Sequence, residues 1–287
     1  MNLRDDAGGA VHLGRKIAEA GEGRIFTVAG DDRLVAKLYK HPPGPMQVEK
    51  LRFQAAQKSP ALRAIAAWPE RLVMDRQTGR VAGFLMQRLD SRPIHQLYRP
   101  KDRRTHFPRA TWIFLLHVAR NLAAAFETLH ENGVLMADVN EGNVFVSREG
   151  LVGLIDCDSY QVTGPGGRVF GCQVGTPIWT PPELQGVDFA RAPRGLEHDR
   201  FGLAVLLFHL LAMGRHPYAG APIDVSKADD QWTLEWAIGR HHFTYSRARP
   251  VPGFRPPPYA PPAEAMPPEV FALFEAAFSP DPQSRPS

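Results

Sequence analysis

The strongest indication of the fold lies in the segment Leu129-His-Glu-Asn-Gly-Val-Leu-Met-Ala-Asp138-Val-Asn-Glu-Gly-Asn143-Val-Phe-Val146. It continues a segment, Ala110 to Glu131, whose apolar residues recur at helical spacing and which stops at an Asn-Gly pair, a common helix end. Asp138 and Asn143 then precede a short apolar run that predicts a strand. Farther along the chain, Leu154-Ile-Asp156 adds a second carboxylate. Two carboxylates and an amide are oxygen ligands of the kind that Mg²⁺ prefers, although any one of them alone could cap a helix or shape a turn.

On the N-terminal side of this segment, the first ninety residues predict strands and one helix. The stretch Ile17-Ala-Glu-Ala-Gly-Glu-Gly-Arg-Ile25-Phe26 has the pattern of strand, turn and strand, and Leu34-Val-Ala-Lys-Leu38 predicts the next strand. Lys37 would lie on a buried apolar strand, so its ammonium group needs a partner. Glu49, on the helix predicted over Met46 to Gln57, is the candidate, and Glu70 is the second choice.

Toward the C-terminus, three further patterns follow in order. Gly175-Thr-Pro-Ile-Trp-Thr-Pro-Pro-Glu183 is a polar, proline-rich segment, and Asp199 opens an almost wholly apolar run that predicts a buried helix. Asp281-Pro-Gln-Ser-Arg-Pro286 ends the chain's patterned region. Between them, the proline-rich stretch 250–268 predicts neither regular helix nor strand.

Together these motifs resemble the protein kinase family over roughly residues 12 to 286. The resemblance implies an α+β, two-lobed protein-kinase-like fold. It would have a small antiparallel β-sheet N-lobe with one helix, about 10–87, a hinge at about 87–91 and a mainly α-helical C-lobe, about 92–287, all in a single domain 1–287. It also implies that Asp138 orients and accepts the proton of the attacking hydroxyl, and that Asn143 and Asp156 hold Mg²⁺.

The same resemblance assigns a binding site for ATP. Lys37, following Ala36 in the kinase-like Val-Ala-Lys strand, would neutralise the α- and β-phosphates and would pair with Glu49. The glycine-rich loop that covers the phosphates would have Ala18, Ala20 and Gly23 at its glycine positions, followed by Ile25. An alternative alignment makes Gly21 and Gly23 the first pair, with Glu22 between them. Met86 would lie beside the adenine, and backbone groups of Gln87, Arg88 and Leu89 would bond its edge, although Met86 as ordinary core is equally compatible with the sequence.

Two further expectations concern the C-terminal half. Glu183 would form a largely buried salt bridge with Arg285, and Asp199 would hold the backbone of the Asp138 loop. The Gly175–Glu183 segment and Arg285 favour a kinase of proteins over a phosphotransferase of small molecules. The leading function is therefore Mg-ATP-dependent transfer of phosphate to serine or threonine, and the alternative is a nucleotide-binding pseudokinase that acts as a signalling scaffold.

The sequence departs from the kinase pattern at several positions. The arginine that normally precedes the catalytic aspartate and answers an activation-segment phosphate is Ala137, and the lysine that steadies the γ-phosphate is Asn140. The usual Asp-Phe-Gly is Asp156-Cys157-Asp158, which brings a third carboxylate close to the metal. These substitutions resemble a bacterial subgroup that often carries C-terminal helix-hairpin-helix segments. Some of its members are encoded beside von Willebrand A-type and phosphatase proteins, which the resemblance therefore implies as partners.

Composition sets the remaining expectations. Apolar residues make up 44% of the 287 residues and charged residues 22%, which is ordinary for a globular protein. The N-terminus lacks an apolar signal core, no long apolar span exists, and two cysteines cannot form a disulfide framework, so we expect a cytoplasmic protein with reduced thiols. The net charge of +4 suits phosphate-bearing ligands. The basic run Arg99–Arg104 predicts a solvated loop before a helix, and a surface for nucleic acid or for an acidic partner is the alternative. No zinc-finger or RNP-like pattern favours nucleic acid.

Overall fold

The computed structural model describes residues 2–19, 21–224 and 232–287. Their backbone divides into two compact units. The sheet unit comprises Met1–Ser91, Gly153–Asp158 and Val162–Phe170, and the helical unit comprises Arg92–Val152, Ser159–Gln161 and Gly171–Ser287. Lys37 and Asp156 belong to the sheet unit, whereas Asp138 and Asn143 belong to the helical unit.

Within the described residues, seven strands of the sheet unit form one antiparallel sheet in the order β2-β1-β6-β7-β5-β4-β3. Strand β5, which lies between β7 and β4, is buried from Leu34 to Leu38, and its side chains alternate between two apolar clusters: Val35 packs with Phe84 in one, the Val35 cluster, while Ala36 packs with Leu85 in the other. This alternation carries Lys37 into the interior on the Val35 side of the sheet. The strands are β1 (Leu3–Asp5), β2 (Ala10–Val11), β3 (Leu13–Glu19), β4 (Gly23–Val28), β5 (Asp31–Tyr39), β6 (Pro69–Asp75) and β7 (Val81–Gln87).

Two helices follow β5 in the sheet unit. Helix α1 (Pro45–Ala56) begins at a proline, which suits the first turn because that position needs no backbone N–H, and it buries Leu51 and Ala55 against the sheet. Helix α2 (Pro60–Ile65) is capped by Ser59, whose hydroxyl accepts from the Leu62 N–H at 3.3 Å.

The helical unit is built around two long helices. Helix α5 is capped by Thr111 and ends before Gly133, which has φ +68° as a helix-ending glycine allows. Helix α6 has a charged first turn, is apolar from Phe201 onward apart from His209, and is mostly buried, as the sequence predicted. The helices are α3 (His95–Tyr98), α4 (Pro100–His106), α5 (Trp112–Glu131), α6 (Leu196–Leu211), α7 (Leu234–Gly239) and α8 (Pro268–Ala277). Among the described residues, no helix is both long enough and apolar enough to cross a membrane.

Short strands complete the fold: β8 (Arg92–Pro93), β9 (Val134–Leu135), β10 (Val144–Val146), β11 (Val152–Leu154), β12 (Gln161–Thr163), β13 (Val169–Phe170), β14 (Ala221–Pro222) and β15 (Phe254–Arg255). Antiparallel pairs join β8 to β10, β12 to β13 and β14 to β15. The β8–β10 pair places Asn143 directly before a strand of the helical unit.

The structure corrects two expectations about local structure. The proline-rich stretch 250–268 contains strand β15, because Phe254 and Arg255 lie between its prolines and can pair with β14. The basic run Arg99–Arg104 is mainly helix α4 rather than a loop; its proline stands at the first helical position, and the helix has no buried residue.

Candidate active site

The loop that carries Asp138 is anchored by a buried carboxylate of helix α6. Asp199 is 1% exposed and accepts the backbone N–H groups of Met136 and Ala137, both at 2.8 Å. The ring Nε2 of His130, on the preceding helix, lies 3.2 Å from the same carboxylate. Ala137 adopts φ +65°, a left-handed conformation that a non-glycine residue keeps only when its surroundings hold it there. Asp199 therefore holds the backbone of the Asp138 loop, as expected, through two hydrogen bonds from backbone N–H groups.

The Asp138 side chain is held in place by two neutral groups. The Thr176 hydroxyl donates to its Oδ1 at 3.0 Å, and the Asn140 amide donates to its Oδ2 at 3.2 Å. Asn140 also accepts the Gly142 N–H through its side-chain oxygen at 2.9 Å, while the Asn143 amide donates to the Asp138 backbone carbonyl at 3.2 Å. The loop thus brings Asp138, Asn140 and Asn143 together and leaves the carboxylate without a cation among these bonds.

Lys37 is paired with two carboxylates inside the sheet unit. Its ammonium group lies 2.5 Å from Asp156 Oδ1 and 2.7 Å from Asp158 Oδ1. Burial would lower the pKa of Lys37, but the charges of Asp158 and Asp156 outweigh it and raise that pKa above its ordinary value. Lys37 is therefore a buried ammonium group that is charged at neutral pH. Asp156 has φ +63° and a side chain that is 42% exposed, so its carboxylate is accessible from the solvent.

Glu49 does not pair with Lys37, which corrects the expectation from the sequence. Both of its carboxylate oxygens accept from the guanidinium group of Arg168, one of them at 2.8 Å, and both side chains are about half exposed. Glu70, the second candidate, lies on β6. The charge that compensates Lys37 comes instead from the segment after β11, where Asp158 is 1% exposed. Side chains three and four residues apart share one face of a helix, so sequence spacing alone does not identify which helix residue, if any, pairs with Lys37.

The β3–β4 hairpin lies beside the Lys37 strand. Gly23 packs so closely that a Cβ atom there would be 2.9 Å from the Leu38 carbonyl oxygen, which explains glycine at this position. Ala18 is exposed and pairs with Ile25, which is partly buried against the Val35 cluster. Gly21 and Glu22, at the tip, are exposed, and the predicted position Ala20 lies outside the described residues.

The strand predicted to lie beside the adenine is β7 and the residues after it. Met86 is 9% exposed and pairs with Val35 as part of the apolar cluster, so it is a core residue here. The Arg88 N–H donates to the Arg33 carbonyl at 2.7 Å, so that N–H is engaged within the sheet unit. Gln87 is exposed, and Leu89 is partly buried against the Val35 cluster.

Glu183 and Arg285 form the expected pair. The guanidinium group donates to both carboxylate oxygens, at 2.5 and 2.9 Å, and to the Glu197 carbonyl at 2.9 Å. Arg285 is 3% exposed, whereas the Glu183 side chain is 28% exposed and so only partly buried. Burial would raise the pKa of Glu183, but the hydrogen bond from Arg285 outweighs it and holds that pKa below its ordinary value.

Two functional candidates escaped the sequence analysis. Tyr39 donates its hydroxyl to Asp158 at 2.6 Å, and Arg194, which is 6% exposed, donates to the carbonyl groups of Cys172 and Val174. Arg194 therefore holds the backbone that precedes Gly175 through hydrogen bonds within the protein, without needing a phosphate group on this segment. For Tyr39, the available signal in the sequence was its bonding partner Asp158, the unusual second carboxylate in Asp156-Cys157-Asp158. No sequence pattern indicated a role for Arg194.

The oxygen ligands expected for Mg²⁺ occur in separate units. Asp156 offers an accessible carboxylate in the sheet unit, and Asn143 offers an amide in the helical unit. Within the part of the chain that the structure describes, no group of three or more His, Cys, Asp or Glu side chains could hold a metal ion. Carboxylate and amide oxygens nevertheless suit Mg²⁺, which takes only one or two protein ligands together with phosphate oxygens.

Comparison with known families agrees with this arrangement. The family described as "Protein kinase domain" matches residues 78–287. The chain belongs to the protein kinase family. It accordingly has the α+β, two-lobed kinase fold, with a sheet-rich N-lobe and a helix-rich C-lobe, as the sequence predicted.

Curated kinases show the same similarity over most of the chain. "Protein kinase YegI" of Escherichia coli strain K12 is 39% identical over 269 residues, which is 93% of this chain and 41% of that protein. The protein of the same name from E. coli O157:H7 is 39% identical over 274 residues, 95% of this chain and 42% of that protein. "Atypical protein kinase C" of Drosophila melanogaster is 34% identical over 121 residues, 41% of this chain and 18% of that protein. The chain thus spans about two fifths of the length of the YegI proteins it matches, and these matches support a bacterial kinase subgroup.

Proposed function

We propose that this kinase transfers the γ-phosphate of Mg-ATP to serine or threonine hydroxyl groups of proteins. The observation that carries the proposal is the Asp138 loop, in which a carboxylate is oriented by Thr176 and Asn140 on a backbone anchored by Asp199. An oriented carboxylate can accept a hydrogen bond and then the proton from an alcohol as its oxygen attacks. Family membership supports phosphotransfer to proteins.

The residues present suit Mg-ATP. Lys37 is a charged ammonium group that can bind phosphate oxygens, and the close approach of Gly23 to strand β5 leaves no side chain at that point of the hairpin. Asp156 and Asn143 each offer an oxygen of the type that Mg²⁺ binds. When bound, Mg-ATP supplies the phosphoryl group and the metal that screens its charge.

The protein's own contribution would then be positioning. Lys37 would orient the phosphate chain, and Asp138 would hold the acceptor hydroxyl and take its proton at a carboxylate oxygen. Asn140, an uncharged amide in place of the usual lysine, would keep the Asp138 side chain in its orientation but would add no positive charge. Removing one stabilising donor typically costs about 10²- to 10³-fold in rate, so we expect a slow kinase.

One observation favours a second candidate, the nucleotide-binding pseudokinase. Among the bonds that hold Asp138 in the described residues, the donors are neutral, so the catalytic loop supplies no cation for the transferring phosphate. Such a protein would bind ATP and signal by its conformation.

A labelling assay separates the two candidates. Purified protein is incubated with γ-labelled ATP, with Mg²⁺ or with EDTA, alone and with a panel of basic protein substrates, and the labelled amino acids are then identified. We expect Mg²⁺-dependent label on serine or threonine, with Ser159, Thr163 and Thr180 as candidate positions in the chain itself. Label on tyrosine alone would contradict the specificity, and ATP binding without any label above the EDTA control would favour the pseudokinase.

A further inference from the structure

A buried cluster of hydrogen-bonded side chains surrounds Asp158 in the sheet unit. Both oxygens of this carboxylate accept from the Lys37 ammonium group, at 2.7 and 2.9 Å, and the Tyr39 hydroxyl donates to it at 2.6 Å. Asp158 is 1% exposed and Lys37 is 5% exposed. A buried charge persists only with close hydrogen-bonding partners, and here each residue supplies them for the other.

Helix α1 holds this cluster with amides rather than with an acid. Gln47 donates to the Asp158 carbonyl at 3.0 Å, and Gln54 donates to the Cys157 carbonyl at 2.7 Å. Gln54 is itself fully buried. Both glutamines therefore fix the backbone of the Asp158 segment. The acid of the helix, Glu49, is about half exposed and bonded to Arg168.

The two carboxylate partners of Lys37 differ in what else they can do. Asp156 is 42% exposed and is a metal ligand in the proposed function, so its charge would be shared with Mg²⁺ during turnover. Asp158 is enclosed and is bonded to Tyr39 as well as to Lys37. If Asp156 turned to a metal, only a second, buried carboxylate would keep Lys37 compensated and in place.

We propose that Asp158 positions Lys37 to bind nucleotide phosphates. The sequence predicted this role for Glu49. The proposal rests on the proposed function, because it assumes that Lys37 binds phosphate. It makes the position of Lys37 independent of any charge on helix α1. Asp158 acts through Lys37 and does not itself touch the nucleotide.

The first test concerns the ion pair alone, in nucleotide-free protein. Melting temperatures are measured for Lys37→Met, Asp158→Asn and their double variant, and for the same cycle with Glu49→Gln, which makes the identical chemical change in the competing acid. We expect the Asp158 cycle to be strongly non-additive and the Glu49 cycle to be additive, because only groups in contact couple. Coupling of Lys37 to Glu49, or additivity in both cycles, would overturn the assignment.

The second test asks whether the pair positions the nucleotide. In steady-state phosphotransfer, Asp158→Asn should raise the KM for ATP by about 10- to 100-fold, the range expected for a charge-assisted contact, and leave the KM for the protein acceptor unchanged. Tyr39→Phe removes one donor without changing any charge, so it should raise the KM for ATP in the same direction by less. If Asp158→Asn does not fold, Tyr39→Phe alone still tests the positioning role. Equal effects on both KM values, or no effect of either variant, would overturn the positioning role.

The two tests separate failure of the inference from failure of the proposed function. If the Asp158 cycle is coupled but the wild-type protein neither binds nor uses ATP, the ion pair exists and the proposed function is wrong, which removes the nucleotide role of the pair. If the wild type uses ATP and the coupling is absent or belongs to Glu49, the proposed function stands and Asp158 does not position Lys37.

Discussion

Replacing Arg285 with alanine would remove an interaction whose strength can be worked out from the structure. The guanidinium group makes two bonds to Glu183 and one to the Glu197 carbonyl, and it lies 5.2 Å from the centre of the Phe201 ring. Alanine removes these donors and the packing of the side chain on the ring. It also leaves the Glu183 carboxylate without its cation.

Breaking a buried ion pair from one side costs about 3–5 kcal/mol in the free energy of unfolding. The Glu183 side chain is 28% exposed, so water can reach its carboxylate after the substitution, and we expect about 3 kcal/mol, the lower end of that range. A loss of 1 kcal/mol lowers the melting temperature by roughly 2–4 °C in domains of 150–250 residues. The expected decrease is therefore about 6–12 °C.

Thermal unfolding of the nucleotide-free protein, followed by circular dichroism, measures this decrease. Arg191→Ala is the matched control, because Arg191 is paired with Asp188 at 3.4 Å but its side chain is 88% exposed. Surface pairs of this kind contribute about 0–1 kcal/mol, so the control should melt close to the wild type. If Arg285→Ala melted within 2 °C (about the size of the control's own shift) of Arg191→Ala, the reasoning from burial and bonding would be refuted.

Three further predictions follow from the same contacts. The folded protein holds the pKa of Glu183 below its ordinary value, so this carboxylate contributes stability at pH values above the ordinary glutamate pKa, and the contribution is lost as the pH falls through the lower folded-state pKa. Acid titration of wild type and Arg285→Ala should show a shallower loss of stability in the variant, and parallel curves would contradict this. Asp199→Asn should lower the phosphotransfer rate by about 10- to 100-fold with little change in the KM for ATP, because it weakens two hydrogen bonds to the backbone of the Asp138 loop. An unchanged rate in the kinetic assay would show that Asp199 does not shape this loop. Cys157 and Cys172 are both buried thiols, so mass spectrometry after denaturation in alkylating reagent should find two alkyl groups, and a disulfide mass would show the prediction to be wrong.

The helices and strands were predictable where local chemistry alone decides them. The helix expected over Ala110 to Glu131 is α5, Trp112–Glu131, because Thr111 caps its start and an Asn-Gly pair ends it. Strands β1 and β2 were not predicted, since runs of two or three residues carry no alternation that could be recognised.

The candidate site was predictable in its motifs but not in its pairings. The Asp138 loop depends on contacts within a few residues, and its spacing therefore indicated its chemistry. Lys37 instead meets Asp158, 121 residues farther along the chain, and such a pairing depends on how β5, α1 and the segment after β11 pack. Nothing in the spacing distinguished that carboxylate from Glu49, so the sequence favoured the helix acid, and the structure corrects it.

The role of Asp138 is tested by comparing transfer of the γ-phosphate by wild type and by Asp138→Ala, with the affinity of each protein for Mg-ATP measured in parallel. If Asp138 holds the acceptor hydroxyl and takes its proton, the variant should lose at least about 10²-fold in the rate of transfer while its affinity for Mg-ATP stays within about threefold. Equal, background labelling by both proteins across a broad substrate panel, with Mg-ATP still bound, would contradict the account and identify the chain as a pseudokinase.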